Sequence, residues 1–199
     1  MTPATLAAAT PATAPSLTPS EVERAVLYLE QTRSGVKGAI RNLSDAQWNF
    51  KPGQERWSIA EIMEHVIYVQ ERVLGPIRDQ LAQAPPAPAN HDYKVLDDLV
   101  IARFPNRLSK FPSPVQPAGG LTHADALERV LNNCSRLNKY LESAPDLRRH
   151  AIEAAPMKAL TGGAYQFMDG YQWILAAAAH TERHTKQILE VMAEPGFPA

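Results

Sequence analysis

The chain of 199 residues reads as an all-α protein, a four-helix bundle. Three observations predict this. Its seventeen prolines cluster and leave four long windows without one: residues 20–51, 53–75, 118–144 and 157–194. Each window repeats apolar residues at helical spacing, and no segment alternates apolar and polar residues over a useful length. Proline removes a backbone donor and clashes with the preceding turn, so helices run where it is absent, and four such helices in one domain pack as a bundle.

The first window opens with Thr18-Pro19-Ser20-Glu21, a capping box with proline at the first helical position. Val22, Ala25, Val26, Leu29, Val36, Ile40 and Leu43 form its apolar stripe. The second opens with Ser58-Ile59-Ala60-Glu61, another capping box, and continues through Ile62, Val66, Val69 and Val73; Gly75-Pro76 is expected to kink or end it. The third starts near Thr122 and runs through Leu127, Val130, Cys134, Leu137 and Leu141. The fourth starts near Asp169 and reaches about Ala193. Between the second and third, residues 85–121 hold seven prolines. That length suits a crossover, with a short helical turn around Lys94 to Arg103.

Composition narrows the class further. With 45% hydrophobic and 21% charged residues the chain can bury one core of middling size. A formal net charge of -1 offers no footprint for nucleic acid or an anionic membrane. The single cysteine, Cys134, excludes an internal disulfide and a cysteine-based zinc site. Apolar runs such as Ile174 to Ala179 are too short to span a bilayer. Residues 1–17 carry no charged side chain and are broken by Pro3, Pro11 and Pro15, which fits an irregular arm and not a secretory signal. The expectation is a cytoplasmic protein with a single domain over 18–199.

Chemistry is to be sought in the histidines. His91, His123 and His150 fall in linkers or at a helix start, where solvation is expected. His65 takes a seam position in the stripe Ile62, His65, Val69, Val73. His180 and His184 take consecutive seam positions in the stripe Trp173, Ala177, His180, His184, Ile188. A spacing of four places two rings one turn apart on one face, within reach of one ion. A lone seam histidine is ordinarily a hydrogen-bonded core residue, but three unpartnered imidazoles would cost on the order of 1–3 kcal/mol each. A metal site of His65, His180 and His184 satisfies all three. Three neutral imidazoles leave coordination positions open, as catalytic ions require, and suit zinc, nickel, iron or copper alike.

The neighbouring groups carry weaker signals. Glu61 fits the capping box better than a contact to His65, and Glu64 and Glu182 are expected on a solvated face. Gln187, one turn beyond His184, is a candidate hydrogen-bond partner for its ring. Trp48, Phe50 and Trp57 are expected to pack the link against the core, with walling of a pocket as the alternative. Interior Gly35 and Gly38 cost roughly 1 kcal/mol each in a helix, which close approach of another helix would offset, with a loosened or kinked helix as the alternative.

These residues also resemble a known family. The segment from Asp169-Gly170-Tyr171-Gln172-Trp173 through His180-Thr181-Glu182-Arg183-His184 to Gln187-Ile188 resembles the final helix of the DinB-like (DinB/YfiT-like) superfamily. Trp48-Asn49-Phe50-Lys51-Pro52 and Trp57-Ser58-Ile59-Ala60-Glu61-Ile62, followed by His65, resemble its second-helix signature. The resemblance implies an up-down-down-up bundle with the crossover between helices two and three. It also implies one nickel or zinc ion on His65, His180 and His184, and a homodimer.

Two functions follow as expectations. One is a metal-dependent enzyme of thiol-transferase or hydrolase type acting on a small molecule, with a low-molecular-weight thiol among the candidates. The other is a non-enzymatic helical interaction protein whose metal, where present, is structural. No nucleotide or phosphate loop is visible, and no base or acid can be assigned.

Overall fold

The computed structural model describes residues 15–108 and 116–199. Residues 1–14 of the expected arm lie outside the described residues, as does part of the crossover. Ahead of α1, Leu17 already packs against the core.

Four long helical runs form the bundle: α1 (Pro19–Ile40), α3 (Ile59–Arg72), α6 (His123–Ser143) and α8 (Gly170–Met192). Each starts where its cap dictates. Thr18, Ser58, Thr122 and Asp169 accept the N–H three residues on, and Glu21, Glu61 and Gln172 return the bond in capping boxes. Shorter helices fill the connections: α2 (Asp45–Asn49), α4 (Arg78–Gln83), α5 (Tyr93–Arg103) and α7 (Ala155–Leu160). Two three-residue strands, β1 (Ala151–Glu153) and β2 (Phe167–Asp169), pair antiparallel below α8. They are too short for a period-two pattern to announce them.

Gly75-Pro76 does not end the second run. A π-helical turn over Val73–Ile77 absorbs the proline, and α4 continues from it. The wider turn gives room for a residue that has no N–H.

The order of directions is up, down, down, up. The Tyr171 hydroxyl donates to the Glu21 carbonyl oxygen and the Tyr28 hydroxyl to Glu182, so α1 and α8 run in parallel. A ring nitrogen of His123 donates to the Ile40 carbonyl oxygen, and Arg56 pairs with Glu194, so α6 and α3 run against them. The crossover from α3 to α6 therefore spans the length of the bundle, and α5 lies along it against α8.

The buried apolar residues form two clusters. One gathers Leu29, Leu137, Leu141, Tyr171, Ile174 and their neighbours; the other gathers Ile40, Ile59, Ile62, Ile67 and Ile188. Where they meet, every main helix contributes a buried polar residue: Thr32, Gln70, Asn133 and Thr181. Gln70 Nε2 donates to Thr181 Oγ1 at 3.2 Å. Ala176 to Ala179, all buried, keep α8 thin just before this belt.

At the other end, Arg148 lies buried between α6 and β1. It pairs with Asp97 at 2.6 Å, Asp169 at 3.0 Å and Glu21 at 2.6 Å, and its guanidinium lies over the Tyr171 ring. Among the described residues no helix is long and apolar enough to cross a membrane.

Candidate metal centre

The antiparallel packing of α3 on α8 brings His65 opposite His180 and His184. The Nε2 atoms of His65 and His180 lie 3.0 Å apart, and one ligand atom from each of the three rings falls within 4.8 Å of the others. An ion at about 2.0–2.1 Å from each nitrogen requires nitrogens roughly 3–4 Å apart, so slight ring rotation completes the set. Among the described residues, His180 Nδ1 is buried without a hydrogen-bond partner. A metal ion taken by that nitrogen would satisfy it. The three residues thus fit a divalent ion.

Burial sets their protonation. It pushes the His65 imidazole down to about 4 and that of His184 to about 3, with the neighbouring His65 adding to the effect at His184. His180 is held well below the ordinary range by burial and by its two neighbours. All three are neutral at pH 7, the form that binds metal.

The tautomer of His184 is fixed by its surroundings. Gln187 faces it at 2.8 Å from Nδ1, and Arg107 donates to the same Gln187 atom at 3.2 Å. Arginine can only donate, so that atom is the amide oxygen. His184 Nδ1 therefore carries the proton and its Nε2 carries the lone pair, turned to the cluster. Gln187 is the partner expected from its spacing. Arg107 comes from the crossover, where nothing in the sequence marks it.

Trp57 covers the site. Its ring centroid lies 5.1 Å from that of His65 and 6.4 Å from that of His184, nearly parallel to the latter. The other link aromatics keep to packing: Trp48 is buried and donates to the Leu121 carbonyl oxygen, and Phe50 sits edge-on to Phe197. Beside His65 a cavity of about 270 Å³ opens between α3, α6 and the segment before α6.

Several expectations need correction. Glu64 and Glu182 are not simply solvated: Glu64 accepts the Ala118 and Gly119 N–H groups, and Glu182 accepts the Tyr28 hydroxyl. Nor are the linker histidines. His150 donates to the Ala84 carbonyl oxygen, His123 to that of Ile40, and His91 to Gln172, beside buried Asp169. Glu61 keeps to its capping box and pairs with Lys51.

The family model of the DinB superfamily matches residues 28–188, which include the whole histidine cluster. The chain belongs to the DinB superfamily. The DinB match is joined by YuaE of Bacillus subtilis (strain 168), an uncharacterised protein 25% identical over 155 residues, 76% of this chain and 87% of YuaE. Among solved structures, YfiT from Bacillus subtilis superposes with a TM-score of 0.61 at 14% identity, covering 92% of each chain. YfiT is described as a probable metal-dependent hydrolase with an unusual four-helix bundle topology. At that identity the likeness establishes the shared DinB fold.

Proposed function

We propose that this protein is a metal-dependent enzyme of thiol-transferase or hydrolase type, holding one divalent ion, nickel or zinc, on His65, His180 and His184. The observation that carries the reading is the convergence of three neutral imidazoles beside an open cavity. Three such donors leave coordination positions for a substrate. When bound, the ion supplies Lewis acidity towards a carbonyl and lowers the pKa of a water or thiol.

The chain's own residues prepare that chemistry. Gln187 Oε1 accepts the hydrogen bond of His184 Nδ1–H and so aims Nε2 at the cluster. Trp57 shields two rings from water, which keeps the site's dielectric low. The cavity admits a small molecule from the His65 side. The description of YfiT supports the hydrolase arm, and the family resemblance supports the thiol-transferase arm, with a low-molecular-weight thiol as co-substrate in the cytoplasm.

A non-enzymatic bundle in which metal only staples α3 to α8 would seal its three rings; the cavity at His65 weighs against it. Elemental analysis of protein purified without a nickel column tests the reading, with about one ion per chain expected. No zinc or nickel bound after incubation overturns it. His184→Ala separates the two functions: loss of metal with the bundle intact supports the enzyme, and collapse of the bundle supports the staple.

The protein is also proposed to form a two-fold homodimer through the outer face of α1. A Cβ on Gly38 would meet nothing within 4 Å, and one on Gly35 only the Thr185 methyl at 4.0 Å. Among the described residues nothing fills the space at Gly38, whereas Gly35 faces α8 of the same chain. Light scattering decides it: twice 21.9 kDa is expected, and 21.9 kDa overturns the dimer.

A further inference from the structure

The cavity beside His65 has a second chemical end. Three acidic or basic side chains line it besides the imidazole: Glu64 and Glu71 of α3 and Arg129 of α6. Glu64 is already engaged. Its Oε2 accepts the N–H of Ala118 at 3.0 Å and of Gly119 at 2.6 Å, which fastens the strap before α6 as a wall. Gly119 suits the strap because its φ is +72° and a Cβ there would press on the Glu61 side chain at 3.3 Å.

The charges left to meet a ligand are Glu71 and Arg129, which pair with each other at 2.8 Å, their side chains 40% and 46% exposed. Glu71 is six residues beyond His65, roughly 9 Å along the helix axis. It lies about 120° round the helix from His65, and both side chains line the one cavity. Of the three histidines His65 lines the cavity, which runs from it to the ion pair.

An ion pair at the end of a cavity imposes a rule on what enters. A ligand bearing only a carboxylate takes Arg129 but leaves Glu71 unpaired beside a like charge. A ligand bearing only an ammonium leaves Arg129 in the same position. A ligand bearing both replaces one ion pair with two and strands neither protein charge.

We infer, on the basis of the metal centre proposed above, that the substrate is a small zwitterion of amino-acid type. Its ammonium pairs with Glu71 and its carboxylate with Arg129, while its reacting group reaches the histidine end of the cavity.

Four hydroxamates test this by titration calorimetry on the zinc-loaded protein. All share a metal-chelating end. Glutamate γ-hydroxamate carries both charges at the other end, glutaric monohydroxamate only the carboxylate, γ-aminobutyric hydroxamate only the ammonium, and butyric hydroxamate neither. Glutamate γ-hydroxamate is expected to bind about tenfold more tightly than any of the others. Arg129→Gln removes its advantage over the γ-aminobutyric compound, and Glu71→Gln removes its advantage over the glutaric one. Butyric hydroxamate binds all three proteins equally, showing that the variants keep the metal end. Equal affinity for all four compounds, or variants that leave the ranking unchanged, overturns the zwitterion inference and leaves the metal reading standing. Zinc held but no hydroxamate bound also overturns it. A protein that takes up no zinc overturns the metal reading instead.

Discussion

The His184 Nδ1–H donates to Gln187 Oε1 at 2.8 Å, three residues along α8, and Arg107 holds that oxygen in place from the crossover. This contact decides which ring nitrogen of His184 faces His65 and His180. Gln187→Ala leaves the ring free to rotate and to change tautomer. Metal affinity should fall about 10–100-fold with the helical circular dichroism unchanged. Competition with a chromogenic chelator measures it; unchanged affinity would show that Gln187 does not orient the ligand.

The same burial makes the metal-free protein sensitive to mild acid. His65 and His184 titrate near 4 and 3 in the folded chain, against an ordinary 6.5. Below pH 6.5 the unfolded chain takes up protons that the folded chain refuses. Stability is therefore full above that pH and is lost as pH falls towards the folded values, by up to about 1.4 kcal/mol per pH unit for each histidine. Thermal melts of metal-free protein at pH 7 and pH 5 should show the loss. His65→Leu should show a shallower slope. Equal slopes for the two proteins would contradict the assignment to His65.

Arg148 pairs at once with Asp97, Asp169 and Glu21. Burial raises Asp97, and the guanidinium beside it, helped by the Gln172 amide, works against that. Arg148→Ala leaves three carboxylates facing one another, a loss of about 3–5 kcal/mol. For a chain of this size the melting temperature should drop by roughly 6–20 °C, measured by calorimetry. A drop of under a degree would mean that the network contributes nothing net.

Gly170, the first residue of α8, tests close packing. A Cβ there would lie 2.8 Å from Leu147 Cδ2 and 3.1 Å from the Leu147 carbonyl oxygen, which already accepts the Gly170 N–H. Glycine to alanine ordinarily favours a helix by up to about 1 kcal/mol. Here overpacking should reverse the sign, costing about 1–3 kcal/mol in a denaturant titration. A stabilised Gly170→Ala would show that Leu147 moves freely.

By itself the sequence determined what is local. Capping boxes at Thr18 and Ser58, the helix start near Asp169 and the proline-free stripes depend on residues three or four apart, as does the one-turn pairing of His180 with His184. Seam periodicity also marked His65 as inward-facing, because burial on one face of a helix leaves a trace every third or fourth residue. Only the tertiary structure decided what crosses between elements. His65 meets His180 from 115 positions away. Arg107, Arg148 and the strap at Gly119 reach their partners from linkers, where no period constrains the residue type. Trp57 and Trp48, nine positions apart, went to different fates, one over the histidines and one into the core, because helix packing alone chose which faces the rings. Solvation of His91, His123 and His150 failed as an expectation for the same reason: each is covered by a segment distant in sequence, whose approach only the folded chain specifies.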